Sequence, residues 1–84
     1  MYHIVIETKA ARMLTKIPKA IVQKIVAKLD LLQNHPNIPN IKKLKGREGF
    51  RLRVGNYRIL YLADDSQKKI FIYVIGHRKD VYRD

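Results

Sequence analysis

Three arginines crowd one short stretch, RLRVGNYRILY from Arg51 to Tyr61, and two further reactive side chains, Arg78 and Tyr82, follow near the C-terminus. Gly55-Asn56 is a two-residue loop between alternating segments, and glycine accepts the positive φ of a type I′ or II′ turn, so a hairpin is predicted here. Its register sets Val54 opposite Tyr57, Arg53 opposite Arg58, Leu52 opposite Ile59 and Arg51 opposite Leu60. Side chains alternate across a strand, so Phe50, Leu52, Val54, Tyr57, Ile59 and Tyr61 share the face that meets the core, and Arg51, Arg53 and Arg58 face outward. Arg53 directly opposite Arg58 costs stability, because cross-strand pairs are worth about 0.2–1 kcal/mol and like charges carry the unfavourable sign. A bound anion reverses that sign, since the guanidinium fork matches phosphate oxygens and stays charged. The competing reading has all three arginines splayed into solvent. If the tail makes a helical turn, Arg78 and Tyr82 are four residues apart and share a face. Arg53, Arg58, Arg78 and Tyr82 would then form a phosphate clamp with one titratable hydroxyl.

The elements that must position this clamp are legible in outline. Tyr2 to Ile6 reads as a strand handing over to a helix capped by Thr8, which covers Lys9 to Lys16. Pro18 predicts a break near Ile17 and a new helix after it. Ile21, Val22, Ile25, Val26, Leu29 and Leu32 recur at three- and four-residue spacing, the stripe of a helix ending near Asn34 that needs a sheet to cover. Pro36 and Pro39 mark a loop, and IKKLKGREG carries a run of positive charge with Gly46 and Gly49 as punctuation. Three strands follow, Phe50 to Val54, Tyr57 to Ala63 and Lys69 to Ile75, with DDSQ turning between the last two. KIFIYVI is apolar on both faces in its middle, which suggests a central strand. Tyr57, Tyr61 and Phe71 read as core aromatics rather than base-stacking platforms, and Tyr73 fits either role.

Eighty-four residues hold one domain and one modest core. A composition of 46% hydrophobic and 30% charged residues is that of a folded globular chain. A net charge of +11 and a pI near 10.2 point to a polyanionic partner, nucleic acid first and acidic protein second. No apolar run approaches the ~20 residues of a membrane span, and MYHIVIETK lacks a signal-peptide layout, so a cytoplasmic location is expected. Without cysteine there is neither a disulfide nor a thiolate metal site. His3, His35 and His77 have no ligand-like spacing, so neither a metal nor another cofactor is expected. Lys24 and Lys28 read as a solvated helix face, whereas Lys42, Lys43, Lys45 and Arg47 are placed to meet nucleic-acid phosphates.

The motifs KLKG (Lys43 to Gly46), FRLRVGNYRILY (Phe50 to Tyr61) and IGHRKDVYR (Ile75 to Arg83) resemble the RelE/ParE toxin superfamily, specifically its RelE branch of messenger RNA endonucleases. The resemblance spans nearly the whole chain. It implies an α+β fold of β-α-α-β-β-β layout, an antiparallel sheet with two N-terminal helices packed on one face. It also implies a toxin that cuts messenger RNA in the ribosomal decoding site, leaving a 2′,3′-cyclic phosphate, and a hetero-oligomer with a cognate antitoxin whose contact segment is acidic. Matched by position, Arg58 is the family's catalytic arginine on the second hairpin strand, Arg78 its arginine after the last strand and Tyr82 its C-terminal tyrosine. Arg51 and Arg53 stand where well-studied members often carry lysine, and arginine cannot plausibly shed a proton.

On this resemblance, Arg53 and Arg58 stabilise the phosphoryl oxygens, Tyr82 serves as general base or orients the 2′-OH, and Arg78 contacts the phosphate and assists the leaving group. Two rivals stand beside it. Members of the ParE branch inhibit DNA gyrase without cutting RNA, although Arg58 with Arg78 and Tyr82 argues against that branch. Arginine at both usual lysine positions favours, instead, a catalytically degenerate RNA- or ribosome-binding protein.

Overall fold

The β-branched run at the N-terminus forms β1 (His3–Ile6), and the chain turns directly into α1 (Thr8–Leu14). The computed structural model describes residues 1–77, so the predicted tail turn, with Arg78 and Tyr82, lies outside the described residues. Glu7 makes the handover: its N–H donates to Ile72 O at 2.9 Å as the last strand bond, and its carbonyl accepts the first helical bond from Ala11 N at 2.9 Å. Glu7 therefore takes the N-cap position expected for Thr8, and no side chain caps the helix. Pro18 precedes α2 (Lys19–Leu31), which tightens into a 3-10 turn over Leu32–Asn34 and stops where the apolar stripe runs out. No helix among the described residues is long and apolar enough to cross a membrane.

Four more strands follow: β2 (Ile41–Lys43), β3 (Phe50–Val54), β4 (Tyr57–Asp64) and β5 (Lys69–His77). They form with β1 a five-stranded sheet of order β1-β5-β4-β3-β2. The α+β class and the two helices on one face match expectation. The sheet differs from it in two ways. β1 pairs with β5 in parallel, His3 with Lys69 through Ile6 with Ile72, so the sheet is mixed. The chain leaves β1 through two helices and three strands before it returns, a connection long enough to bring strands in parallel. β2 forms inside the charge run, where no strand was expected, its Lys42 opposite Arg51. A three-residue strand rich in lysine carries almost no periodicity signal, yet it suits a sheet edge, where lysine discourages further pairing. Gly49 (φ +116°) lets the loop after β2 lie against β4, since a Cβ there would stand 3.0 Å from Tyr61 O and 3.2 Å from the Leu62 side chain.

The core fills the space between helices and sheet with Ala10, Ile25, Leu29, Leu52, Ile59 and Ile72, all buried. In β5, Ile70, Ile72 and Ile75 all reach that core, which strict alternation forbids. The register slips between Leu60 and Tyr61: Leu60 faces Val74 while Tyr61 faces Ile72. Tyr73 is thus an extra residue, a β-bulge, and Tyr73 and Val74 both turn to the outer face. Phe71 also faces outward, opposite Leu62 and Val5, and stays apart from the core cluster that the sequence reading assigned it to. The central position expected of KIFIYVI is the one β5 takes, between β1 and β4, with apolar residues on both of its faces.

Tyr61 is fully buried, and its hydroxyl is hydrogen-bonded to His35 Nδ1 at 2.9 Å within a cluster of rings that includes Tyr2 and Phe50. Burial pushes the Tyr61 phenol far above its usual range, and desolvation lowers the His35 imidazole despite an opposing pull from Asp65. His35 is therefore a packing residue. A histidine held neutral in the folded state lets the unfolded chain bind the extra proton, so its contribution is full above about pH 6.5 and is lost as pH falls below that value. Urea unfolding midpoints at pH 7.5 and 5.5 should differ in the wild type, and His35→Gln should reduce the difference.

Candidate phosphate-binding site

The β3–β4 hairpin turns at Gly55, φ +58°, while Asn56 keeps a negative φ, the signature of a type II′ turn. All four predicted pairs are present, from Arg51 with Leu60 to Val54 with Tyr57, with Arg53 opposite Arg58, and Phe50 with Tyr61 extends the same register. Arg53 N–H points away from β4 and donates to Asn40 O at 3.0 Å. The Arg53–Arg58 pair is consequently of the non-hydrogen-bonded kind, in which Cα atoms lie only about 4.5 Å apart and side chains approach most closely.

The two arginines differ in environment. Arg53 is exposed, whereas Arg58 is 5% exposed. Arg58 was expected to face outward, and it does lie on the outer face; its guanidinium is not splayed into solvent but folds back over the turn. Nη1 donates to Gly55 O at 3.2 Å and to Tyr57 O at 3.1 Å. Its neighbour on β5 is Gly76, which contributes no side chain to the outer face. A guanidinium held by carbonyl dipoles and largely removed from water is fixed in direction, and its field is less screened than that of a solvated arginine.

The outer face is ordered in rows across the strands. The first holds Arg53, Arg58 and Gly76, and the second holds Lys42, Arg51, Leu60 and Val74. Arg51 is half-buried and Lys42 exposed, so both rows present cations on one side of the sheet. Lys43, opposite Phe50, alternates away from the arginine face, and Lys45 and Arg47 sit exposed in the loop between β2 and β3. The structure thus brings together Arg51, Arg53, Arg58 and Lys42. It leaves Lys43, Lys45 and Arg47 at the margin, and Arg78 and Tyr82 lie outside the described residues. What sequence reasoning missed is that Lys42 joins the arginine face through β2; the alternation of Ile41 and Lys42 was the one available signal.

A family model described as the ParE toxin of type II toxin-antitoxin system, parDE, matches residues 4–82. The chain is 35% identical to Toxin RelG of Mycobacterium tuberculosis, an alignment covering 98% of this chain and 97% of that protein. It is 31% identical to a putative RelE-like toxin protein of Escherichia coli, over 96% of this chain and 90% of that one. Among solved structures it resembles the toxin-antitoxin complex RelBE2 from M. tuberculosis, with TM-score 0.80, 33% identity, and coverage of 92% of this chain and 98% of that chain. The RelB-RelE antitoxin-toxin complex from Methanococcus jannaschii is similar too, with TM-score 0.79, 29% identity, and coverage of 93% and 94%.

Proposed function

Because the chain belongs to the RelE/ParE superfamily of toxins of type II toxin-antitoxin systems, we propose that it is an endoribonuclease that cleaves messenger RNA in the ribosomal decoding site, without a metal. The observation that carries this reading is the Arg53–Arg58 pair, two like charges at closest cross-strand approach, one of them withdrawn from water and anchored by carbonyls. Such a pair opposes folding and favours an anion with several oxygens to share.

In the proposed reaction the ribose 2′-oxygen attacks the adjacent phosphorus, the 2′-OH proton passes to a base, and the bond from phosphorus to the 5′-oxygen breaks as that oxygen takes up a proton. The products are a 2′,3′-cyclic phosphate and a free 5′-OH. Arg58, fixed in place, and Arg53, free to adjust, stabilise the charge that builds on the phosphoryl oxygens. Tyr82 is the proposed base or 2′-OH orienter, and Arg78 the group that contacts the phosphate and assists departure of the 5′-oxygen. Lys42, Arg51 and, at the margin, Lys43, Lys45 and Arg47 hold the flanking backbone. A ribosome that presents the RNA already bent supplies the positioning that a site with weak acid-base groups needs.

The toxin is proposed to be silenced by an antitoxin with an acidic contact segment. Both similar solved structures cited above are toxins held in antitoxin complexes, and the cationic rows offer the matching surface. Gyrase inhibition is the second reading, favoured by the parDE description of the matching family model.

Incubating the purified protein with programmed 70S ribosomes, with naked messenger RNA and with gyrase plus relaxed plasmid tests these readings together. Cuts confined to the decoding site with cyclic-phosphate ends are expected, and Tyr82→Phe should slow them by about 10²-fold. Intact RNA with blocked supercoiling would establish the second reading, and no effect in any arm would leave a binding protein.

A further inference from the structure

The outer face continues beyond the cationic rows. Its third row holds Leu62 and Phe71, with Val5 beside Phe71 on β1. Leu62 and Val5 are each 37% exposed, and Phe71 is half-buried outside the core cluster, so an apolar strip with an aromatic ring runs along the face that carries the arginines. Leu62 and Phe71 also line a hollow of about 610 Å³, bordered by Lys43, Glu48, Asp64 and Asp65. Along β5, Tyr73 stands at the bulge between Phe71 and Gly76, the partner of Arg58.

Charge sorts what each end of the face can take. The arginine rows attract phosphate; the hollow, where Glu48, Asp64 and Asp65 outnumber Lys43 at its margin, disfavours it. A flat, uncharged ring with amino groups at its edge is suited to an aromatic surface with carboxylate neighbours. Along β4, Arg58 and Leu62 are four residues apart, about 14 Å at ~3.4 Å per residue. An unstacked RNA strand crosses such a distance in about two nucleotides.

We propose that Phe71 and the adjoining hollow form a nucleobase subsite, which stacks a base about two nucleotides from the phosphate held by Arg53 and Arg58. This rests on the nuclease reading and adds to it a source of sequence preference located outside the phosphate clamp. Tyr73 guides the intervening nucleotide across the bulge.

The test uses short single-stranded RNAs made resistant to cleavage by 2′-O-methylation, with 2-aminopurine moved one position at a time to either side of the target phosphate. For the wild type, fluorescence should be quenched most strongly by stacking at one position about two nucleotides from that phosphate. Phe71→Leu keeps an apolar side chain of similar bulk, and should abolish this quenching and weaken binding about 5- to 150-fold, the range for loss of one base-aromatic stack. The slope of log affinity against log salt should stay unchanged in Phe71→Leu and become shallower by about 1 in Arg53→Ala, which removes a phosphate contact. Phe71→Tyr should restore the quenching. Wild-type quenching and affinity retained in Phe71→Leu would overturn the subsite, and weakened neutralisation by the antitoxin in that same variant would assign the hollow to the antitoxin instead. If the wild type neither binds nor cuts RNA in any context, the nuclease reading itself has failed, a result the wild-type arm reports separately.

Discussion

Arg58→Ala should lower single-turnover cleavage on programmed ribosomes by about 10²- to 10³-fold, the usual loss when one preorganised donor to a developing oxyanion is removed. The reason lies in how Arg58 is held. With Nη1 bonded to Gly55 O and Tyr57 O, and the residue only 5% exposed, little reorganisation is needed as charge builds on the phosphate. Arg58→Lys should recover little of the loss, because an ammonium group is a point charge and cannot reproduce the fork that spans carbonyls and phosphate together. Arg53→Ala, at an exposed position, should cost less. The variant must be shown to fold, by far-UV circular dichroism and a thermal melt. Removing one of two facing cations relieves repulsion while losing the packing of the arginine stem, so Tm should move by only a few degrees. Near-wild-type cleavage by folded Arg58→Ala would remove the arginine pair from the catalytic site.

The largest loss of stability is expected on the opposite face of the same sheet. Ile72 is fully buried, stands between Ile6 on β1 and Tyr61 on β4, and its carbonyl accepts the Glu7 N–H that ends β1. Ile72→Ala leaves a cavity where strands from both ends of the chain meet, and should cost about 2–5 kcal/mol. A chain of 84 residues has about 4–13 kcal/mol in total at ~0.05–0.15 kcal/mol per residue, so the variant is expected to be near the edge of folding at 37 °C. Urea unfolding should show a lower midpoint with an unchanged slope. Phe71→Leu, one residue away on the outer face, should cost less than about 1.5 kcal/mol, and a comparable loss at both positions would mean that the two faces of β5 are not distinguished as described.

The hairpin was readable because two strong local signals agree: a Gly-Asn loop and strict alternation on both sides of it. Together they specify every pair from Phe50–Tyr61 to Val54–Tyr57. The helices were readable from apolar spacing, with Pro18 as the break. The parallel pairing of β1 was not, because a four-residue strand does not encode its partner's direction. The bulge at Tyr73 was hidden because apolar residues flank it on both sides, and the outward position of Phe71 was hidden because its face of β5 is apolar too. At the site, the sequence indicated which arginines face one another. It did not indicate that Arg58 would be drawn over the turn, which depends on the carbonyl positions of a type II′ loop and on Gly76 across the sheet.

The pairing of His3 with Lys69 has a consequence for biosynthesis. A nascent chain leaves the ribosome N-terminus first, so β1 emerges early and must wait, unpartnered, until β5 has been translated and released. The arginine hairpin closes through local contacts, but the sheet that supports it cannot close until nearly all of the chain is free. A protein whose proposed target is the translating ribosome would therefore acquire its finished sheet only once β5 is free to meet β1, and the interval before β1 docks is one in which the proposed antitoxin can engage it first.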